Sequence, residues 1–255
     1  MTFLKKSLGQ HFLHDRQILD RIVTAIGDLT AFETVIEVGP GMGAMTQFLI
    51  TSSPQNFYVV ELDDRWAEYL RTTYPFLKDR VIHQDFLRAD LSAILKKPTH
   101  IVGNFPYNIS SQIVFRIIDE RETVTQMTGM FQKEMAVRIA AKPGNKDYGV
   151  ISVLTQAYYD AEYLFDIPPS CFNPPPKVMS GIIRLTRRSE PLQCDEKMFR
   201  SIVKQAFTQR RKTMRNSLGS FLRNETLRTD AIFDKRPEQL SVADFEALTN
   251  KIQQQ

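Results

Sequence analysis

The sequence predicts an α/β fold: a mostly parallel sheet covered by helices on both faces, followed by a small all-helical domain. Three observations carry this. Short apolar runs alternate with helix-period segments through the first 186 residues. The last two runs are separated by a proline-rich loop with no room for a helical crossover. Beyond about residue 188 the strand signal stops and helical periodicity takes over.

The elements follow in order. A helical segment over 15–27 precedes a strand over 34–38 that ends in Gly-Pro-Gly. A helix over 43–51 leads to a strand over 57–60, ended by Glu61, and a helix over 64–73 leads to Val81 and Ile82, a strand ended near Asp85. A fourth strand, 100–103, is ended by Asn104. Helices over 110–120, 133–141 and 149–157 and strands over 124–131, 158–165 and 179–185 complete the pattern. Pro168, Pro169, Pro174, Pro175 and Pro176 join the last two strands, which are expected to pair antiparallel at the sheet edge. The boundary falls near Arg188 to Pro191, giving an α/β domain over 1–188 and a helical domain over 189–255 that begins with a helix near 196–208.

The chain has 255 residues, 42% hydrophobic and 24% charged, ample for a packed core. No apolar run approaches the ~18 residues of a membrane span. The opening Met-Thr-Phe-Leu-Lys-Lys lacks the apolar stretch of a signal peptide. Cys171 and Cys194 are the only cysteines, with four scattered histidines, so no metal site is expected and a reducing cytoplasm fits. The net charge of +4 is unevenly spread. Residues 1–186 carry 19 basic and 20 acidic side chains, 187–223 carry 10 and 3, and 224–255 carry 4 and 6. A basic cluster of this kind suits a polyanion, because Lys and Arg displace counterions from phosphates. A solvated helix face fits the same numbers.

The strongest local motif is Glu37-Val38-Gly39-Pro40-Gly41-Met42-Gly43, a strand running through glycines into a helix. Glycines allow a tight turn and close approach of backbone to ligand. The spacing is Gly-x-Gly-x-Gly, and the acid Glu37 suits an ammonium group better than phosphates. A nucleoside-type cofactor, a dinucleotide and a purely structural turn remain open here. Glu61 lies about twenty residues on, where a carboxylate can accept from both hydroxyls of a ribose. Asp85 can accept from the exocyclic amine of an adenine. Each acid alone also reads as a surface residue at a strand end; three at successive strand ends point to one site. Asn104-Phe105-Pro106-Tyr107 suits an amine on a flat conjugated ring. Such an amine is a poor nucleophile, and it needs acceptors for its protons and a fixed approach. Asn104 offers its side-chain carbonyl, Phe105 its backbone carbonyl beside Pro106, and Tyr107 a stacking face. A turn with a packed tyrosine is the plainer alternative.

The Asn-Phe-Pro-Tyr run is similar to the Asn-Leu-Pro-Tyr variant of the amino-methyltransferase motif. From Lys5 to about Leu218 the chain resembles the bacterial small-subunit ribosomal RNA adenine dimethyltransferases, the KsgA family. The likeness rests on six ordered blocks: Lys6-Ser7-Leu8-Gly9-Gln10-His11-Phe12-Leu13; Glu37 to Gly41; Val60-Glu61-Leu62-Asp63; Gly103 to Ser110; Phe172 to Ser180; and Gln205 to Asn216. It implies a class I S-adenosylmethionine-dependent methyltransferase domain, Rossmann-like, with a seven-stranded sheet. By resemblance His11 and Leu13 line the donor site, although the family usually has Asn in place of His11. Glu37, Gly39, Gly41, Leu62 and Asn104 belong to the same expected site, with Glu61 on the ribose, Asp85 on the adenine amine and Phe86 against the adenine ring. Asn104, Phe105, Pro106 and Tyr107 take the target amine, and Tyr107 and Phe172 sandwich the target base.

The implied reaction places two methyl groups on each of two adjacent adenines near the 3′ end of 16S rRNA, in a precursor of the 30S subunit. The protein is expected to be a cytoplasmic monomer without metal or membrane partner. Arg200, Lys204, Arg210, Arg211, Lys212 and Arg215 are the expected RNA contacts. Rival classes are the macrolide-resistance methyltransferases of 23S rRNA, DNA or protein amide methyltransferases, and a non-catalytic assembly factor. Gly9-Gln10 and the Gln-Arg-Arg-Lys-Thr-Met-Arg-Asn run favour the small-subunit enzyme.

Overall fold

The computed structural model describes residues 11–52, 56–222 and 224–255. The Lys6 to Gln10 part of the N-terminal block lies outside the described residues. The described residues open with a short strand, β1 (Phe12–Leu13), and a helix, α1 (Arg16–Ile26), capped by the Asp15 carboxylate, which accepts from the Ile18 amide. Strand β2 (Thr34–Val38) follows, then α2 (Thr46–Ser52), β3 (Phe57–Glu61), α3 (Asp64–Thr73) and β4 (Val81–His83). The chain continues through β5 (Thr99–Asn104), α4 (Ser110–Asp119), β6 (Val124–Gln132), α5 (Lys133–Ala140) and α6 (Val150–Gln156). Next come β7 (Tyr159–Ile167), β8 (Phe172–Asn173) and β9 (Ser180–Arg187). The last part is helical: α7 (Glu196–Thr208), α8 (Met214–Ser217), α9 (Glu225–Arg228) and α10 (Val242–Gln253).

All seven expected strands enter one sheet, ordered β4-β3-β2-β5-β6-β9-β7. All five residues of β2 are buried, as a parallel strand covered on both faces requires. β2 pairs in parallel with β3 and β5, β3 with β4, and β5 with β6, whereas β9 runs antiparallel to β6. The last two strands of the sheet in chain order, β7 and β9, are neighbours at its edge. The chain winds outward from β2 to β4 and then returns to β5 on the other side of β2. That reversal opens a crevice at the carboxyl ends of β2 and β5, the usual ligand position in such sheets.

The described residues divide into two compact units. One comprises 11–136 and Glu162–Arg187; the other comprises Val137–Ala161 and Arg188–Gln255. The division at Arg188 lies where the strand pattern stops. Residues 137–161, grouped by the sequence with the α/β part, belong instead with the C-terminal helices. The reason is apolar packing: α6 lies on α7, the Tyr148 ring meets Phe207 at 6.3 Å, and Phe207 stacks on Phe245 at 6.1 Å. The Gly144 amide also donates to the Glu238 carbonyl at 2.7 Å. A two-stranded ribbon was not anticipated: β1 pairs antiparallel with β8, Phe12 opposite Asn173 and Leu13 opposite Phe172.

No helix among the described residues is long and apolar enough to cross a membrane.

Candidate active site

The glycine turn after β2 is built by φ angles that L side chains rarely adopt: +67° at Gly39, +54° at Gly41 and +79° at Gly43. Space adds a second constraint at Gly41, where a Cβ would lie 2.9 Å from the Phe12 ring. β1 therefore closes directly onto the turn. The Gly39 amide donates to the Val60 carbonyl at 2.9 Å, which ties the turn to β3.

The acids expected at strand ends converge on one cleft. Glu37, Glu61, Asp85 and Asn104 line it from β2, β3, the turn after β4, and β5. His11, Leu13, Gly39, Gly41, Leu62, Phe86, Phe105, Pro106 and Tyr107 line it too. Sequence reasoning missed Phe12, Met45, Gln84, Leu87, Asn108 and Ile109 in the same lining. Phe12, flanked by His11 and Leu13 in the N-terminal block, was the one most open to recognition. None of the described lining residues is Lys or Arg. Among the described residues no group of three or more His, Cys, Asp or Glu side chains is arranged to hold a metal ion.

The carboxyls have distinct environments. Glu37 is fully buried; its Oε2 accepts from Thr46 Oγ1 at 2.6 Å, and its Oε1 has no partner among the described residues. Burial pushes its carboxyl up to about 8, against the Thr46 hydrogen bond, with the nearby Glu61 adding to the rise. Glu61 accepts from the Gly41 amide on Oε2 at 3.0 Å and from the Asp63 amide on Oε1 at 2.8 Å. Burial raises its pKa while those amides oppose the rise. The Leu62 amide bears on the same carboxylate, so three backbone amides hold it in place. Asp85 Oδ1 accepts from the Leu87 amide at 2.9 Å, and Oδ2 accepts from no described residue. Phe86 is held from behind, with the Arg116 guanidinium 4.9 Å from its ring centroid and donating to its carbonyl.

At the end of β5 the tetrad is held from three sides. Asn104 Nδ2 donates to the His11 carbonyl at 3.1 Å, which fixes the amide and leaves Oδ1 without a partner among the described residues. Phe105 is only 1% exposed, and its ring fills a slot floored by two glycines. A Cβ at Gly129 would lie 2.1 Å from that ring, and one at Gly103 would lie 3.0 Å from it. Phe105 thus contributes its backbone to the cleft and its ring to the core. Tyr107 Oη and Ser180 Oγ share a hydrogen bond of 2.5 Å. His11 faces Tyr107 with ring centroids 6.1 Å apart and planes 24° apart, while its Nδ1 hydrogen-bonds the Pro174 carbonyl at 2.8 Å. Phe172 is not in the lining: at 2% exposed, it belongs to the apolar core behind the β1–β8 ribbon.

The basic residues expected to touch RNA differ in freedom. Arg210 donates to the carbonyls of Asn145 and Lys146, and Arg215 pairs with Asp234 at 2.6 Å. The Arg200 guanidinium lies 5.6 Å from the Tyr158 ring centroid. Lys204, Arg211 and Lys212 are exposed, and none makes an ion pair with a described residue.

Comparison with known proteins agrees with this geometry. The family described as "Ribosomal RNA adenine dimethylase" matches residues 1–254. The chain is 51% identical to "Ribosomal RNA small subunit methyltransferase A" of Flavobacterium johnsoniae, over 98% of this chain and 95% of that one. It is 51% identical to the protein of the same description in Cytophaga hutchinsonii, over 97% and 96%. Among solved structures it resembles a dimethyladenosine transferase from Plasmodium falciparum, with a TM-score of 0.83 and 22% identity over 96% of this chain and 98% of that one. It also resembles the 23S rRNA methyltransferase ErmE, with a TM-score of 0.69 and 29% identity over 94% and 99%. The sheet is thus that of the class I methyltransferases, and the chain belongs to the ribosomal RNA adenine dimethylase family.

Proposed function

We propose that this protein dimethylates the exocyclic amines of two adjacent adenines near the 3′ end of 16S rRNA, with S-adenosylmethionine as methyl donor. The observation that carries the reading is the cleft itself. Three acids and an asparagine from successive strand ends line it, with no Lys or Arg among the described lining residues. Such a lining rejects a pyrophosphate and suits a donor that bears an ammonium and a sulfonium charge. The orphaned Oε1 of buried Glu37 fits that ammonium group, and the Glu61 carboxylate, oriented by backbone amides, is assigned to the ribose hydroxyls. Asp85 Oδ2 takes the adenine amine, while Phe86 and Leu62 hold the ring. Gly39, Gly41 and Leu13 bring backbone close, and His11 completes the wall.

The donor supplies an electrophilic methyl group; each transfer forms one N–C bond, breaks one C–S bond and releases one proton from nitrogen. The chain does the rest by placement. Asn104 Oδ1 and the Phe105 carbonyl accept from the target amine and favour the positive charge that develops on it. Pro106 stiffens that turn. Tyr107 stacks on the target base, which has left its own stack to enter. Phe172 is assigned to the other face of the base, and it must turn out of the core to reach it. No strong general base is needed, because the proton leaves after attack.

The C-terminal helical unit is read as the RNA handle in the 30S precursor, with Lys204, Arg211 and Lys212 as the cations most available to phosphate. Arg200, Arg210 and Arg215 stand beside them. The protein is read as a cytoplasmic monomer. Methyl transfer to undermethylated small subunits tests the activity. Labelled methyl incorporation is expected with the native protein and at least 100-fold less with Asn104→Ala. Equal incorporation by both would refute the site, and none by either would refute the enzyme.

A further inference from the structure

We infer that Ser180 is a positioning residue that pins the stacking tyrosine, and that the second methyl transfer to each adenine depends on it more than the first. The inference rests on the proposed role of Tyr107. Ser180 opens β9, is fully buried, and lies opposite Gln132 in the β6–β9 ladder, so its backbone is fixed by the sheet. Its Oγ is 2.5 Å from Tyr107 Oη. That phenol is raised in pKa by burial, so it stays protonated, and it has no other hydrogen bond among the described residues. Tyr107 begins a one-turn 3₁₀ segment, Tyr107–Ile109, where the backbone alone gives the ring little restraint. The hydroxyl bond therefore sets the pitch of the ring.

The asymmetry between the two transfers follows from the amine. An unmethylated target presents two N–H donors, one each for Asn104 Oδ1 and the Phe105 carbonyl. After one transfer a methyl group has replaced one hydrogen, and only one acceptor can be engaged. Stacking on Tyr107 then carries more of the alignment for the second attack, in which nitrogen gains its second methyl and loses its last proton. A ring free to tilt harms that step most.

The test uses full-length protein and undermethylated small subunits, with mono- and dimethyladenine measured by mass spectrometry of digested RNA. Donor binding and Tm are measured alongside. Ser180→Ala and Tyr107→Phe each remove the bond. Both are expected to raise the monomethyl-to-dimethyl ratio at matched turnover by roughly three- to tenfold, the factor equivalent to one hydrogen bond. Donor Kd should be unchanged. The double variant should match Tyr107→Phe alone, and Ser180→Thr should restore the ratio if its Tm shows that it folds. A native product ratio in both single variants would overturn the inference. So would additive effects in the double variant. If Tyr107→Ala also leaves both transfers intact, the stacking role itself fails; if Tyr107→Ala is impaired while Ser180→Ala is not, only the pin fails.

Discussion

Gly129→Ala offers a severe test of how the core supports the site. The new Cβ would sit 2.1 Å from Cε2, 2.8 Å from Cδ2 and 3.0 Å from Cζ of Phe105. Carbon atoms in ordinary contact lie about 3.5–4.0 Å apart, so the ring must retreat by roughly 1.5 Å. It has nowhere to go: Phe105 is 1% exposed, and the Phe131 ring lies 4.9 Å away, centroid to centroid. Overpacking of this kind costs about 1–3 kcal/mol, a fall in Tm of roughly 2–12 °C for a chain of this size. The functional cost is larger. The Phe105 carbonyl moves with its ring, and a displacement of about 1 Å at a positioning group can cost ~100-fold in rate. Methyl transfer under saturating donor should therefore fall by about that factor, while donor binding, measured by calorimetry, holds. Phe105→Leu, which removes Cε2 and Cζ, should recover part of both losses when combined with Gly129→Ala. A Gly129→Ala protein with native Tm and native rate would show that the Phe105 slot does not hold the site.

Three further outcomes follow from the charges. Replacing Arg211 and Lys212 with Ala should weaken binding to small-subunit RNA and reduce the slope of log K against log salt by roughly 2, with Tm held; Arg210→Ala, which loses bonds to two carbonyls, should instead lower Tm. Glu37, raised from 4.5 to about 8, makes its favourable contribution below its unfolded pKa and loses it as pH rises towards 8, so Tm should decline across that window and Glu37→Gln should flatten the decline. His100 has the opposite sign: burial, with Arg184 adding, lowers it from 6.5 to about 3, so stability is lost as pH falls through that range, and thermal melts of His100→Phe should be less acid-sensitive there.

The strands were legible because each is an apolar run closed by a residue with a different job, as with Val38 before the glycines and Val60 before Glu61. The chemistry was legible for the same reason, since Glu61, Asp85 and Asn104 stand where strands stop. What escaped is non-local. The β1–β8 ribbon joins two residues to two others about 160 positions away, too short a pairing to leave a periodic signal. The segment over 137–161 has an ordinary helical pattern, and its packing on α7, with Tyr148 against Phe207, is what reveals the unit it completes. Arg210 and Arg215 read as free cations in sequence because their partners, Asn145, Lys146 and Asp234, lie 19 to 65 positions away. The slot for the Phe105 ring was hidden as well, since Gly129 lies on a neighbouring strand and has no side chain to announce it.

The most direct measurement maps the modified base. Undermethylated small and large subunits are incubated separately with the protein and S-adenosylmethionine, and their RNA is digested and sequenced by mass spectrometry. Two adjacent dimethyladenines are expected near the 3′ end of the small-subunit RNA, with no methyl group gained by the large-subunit RNA. Methylation confined to the large-subunit RNA, or none in either, would contradict the proposed function.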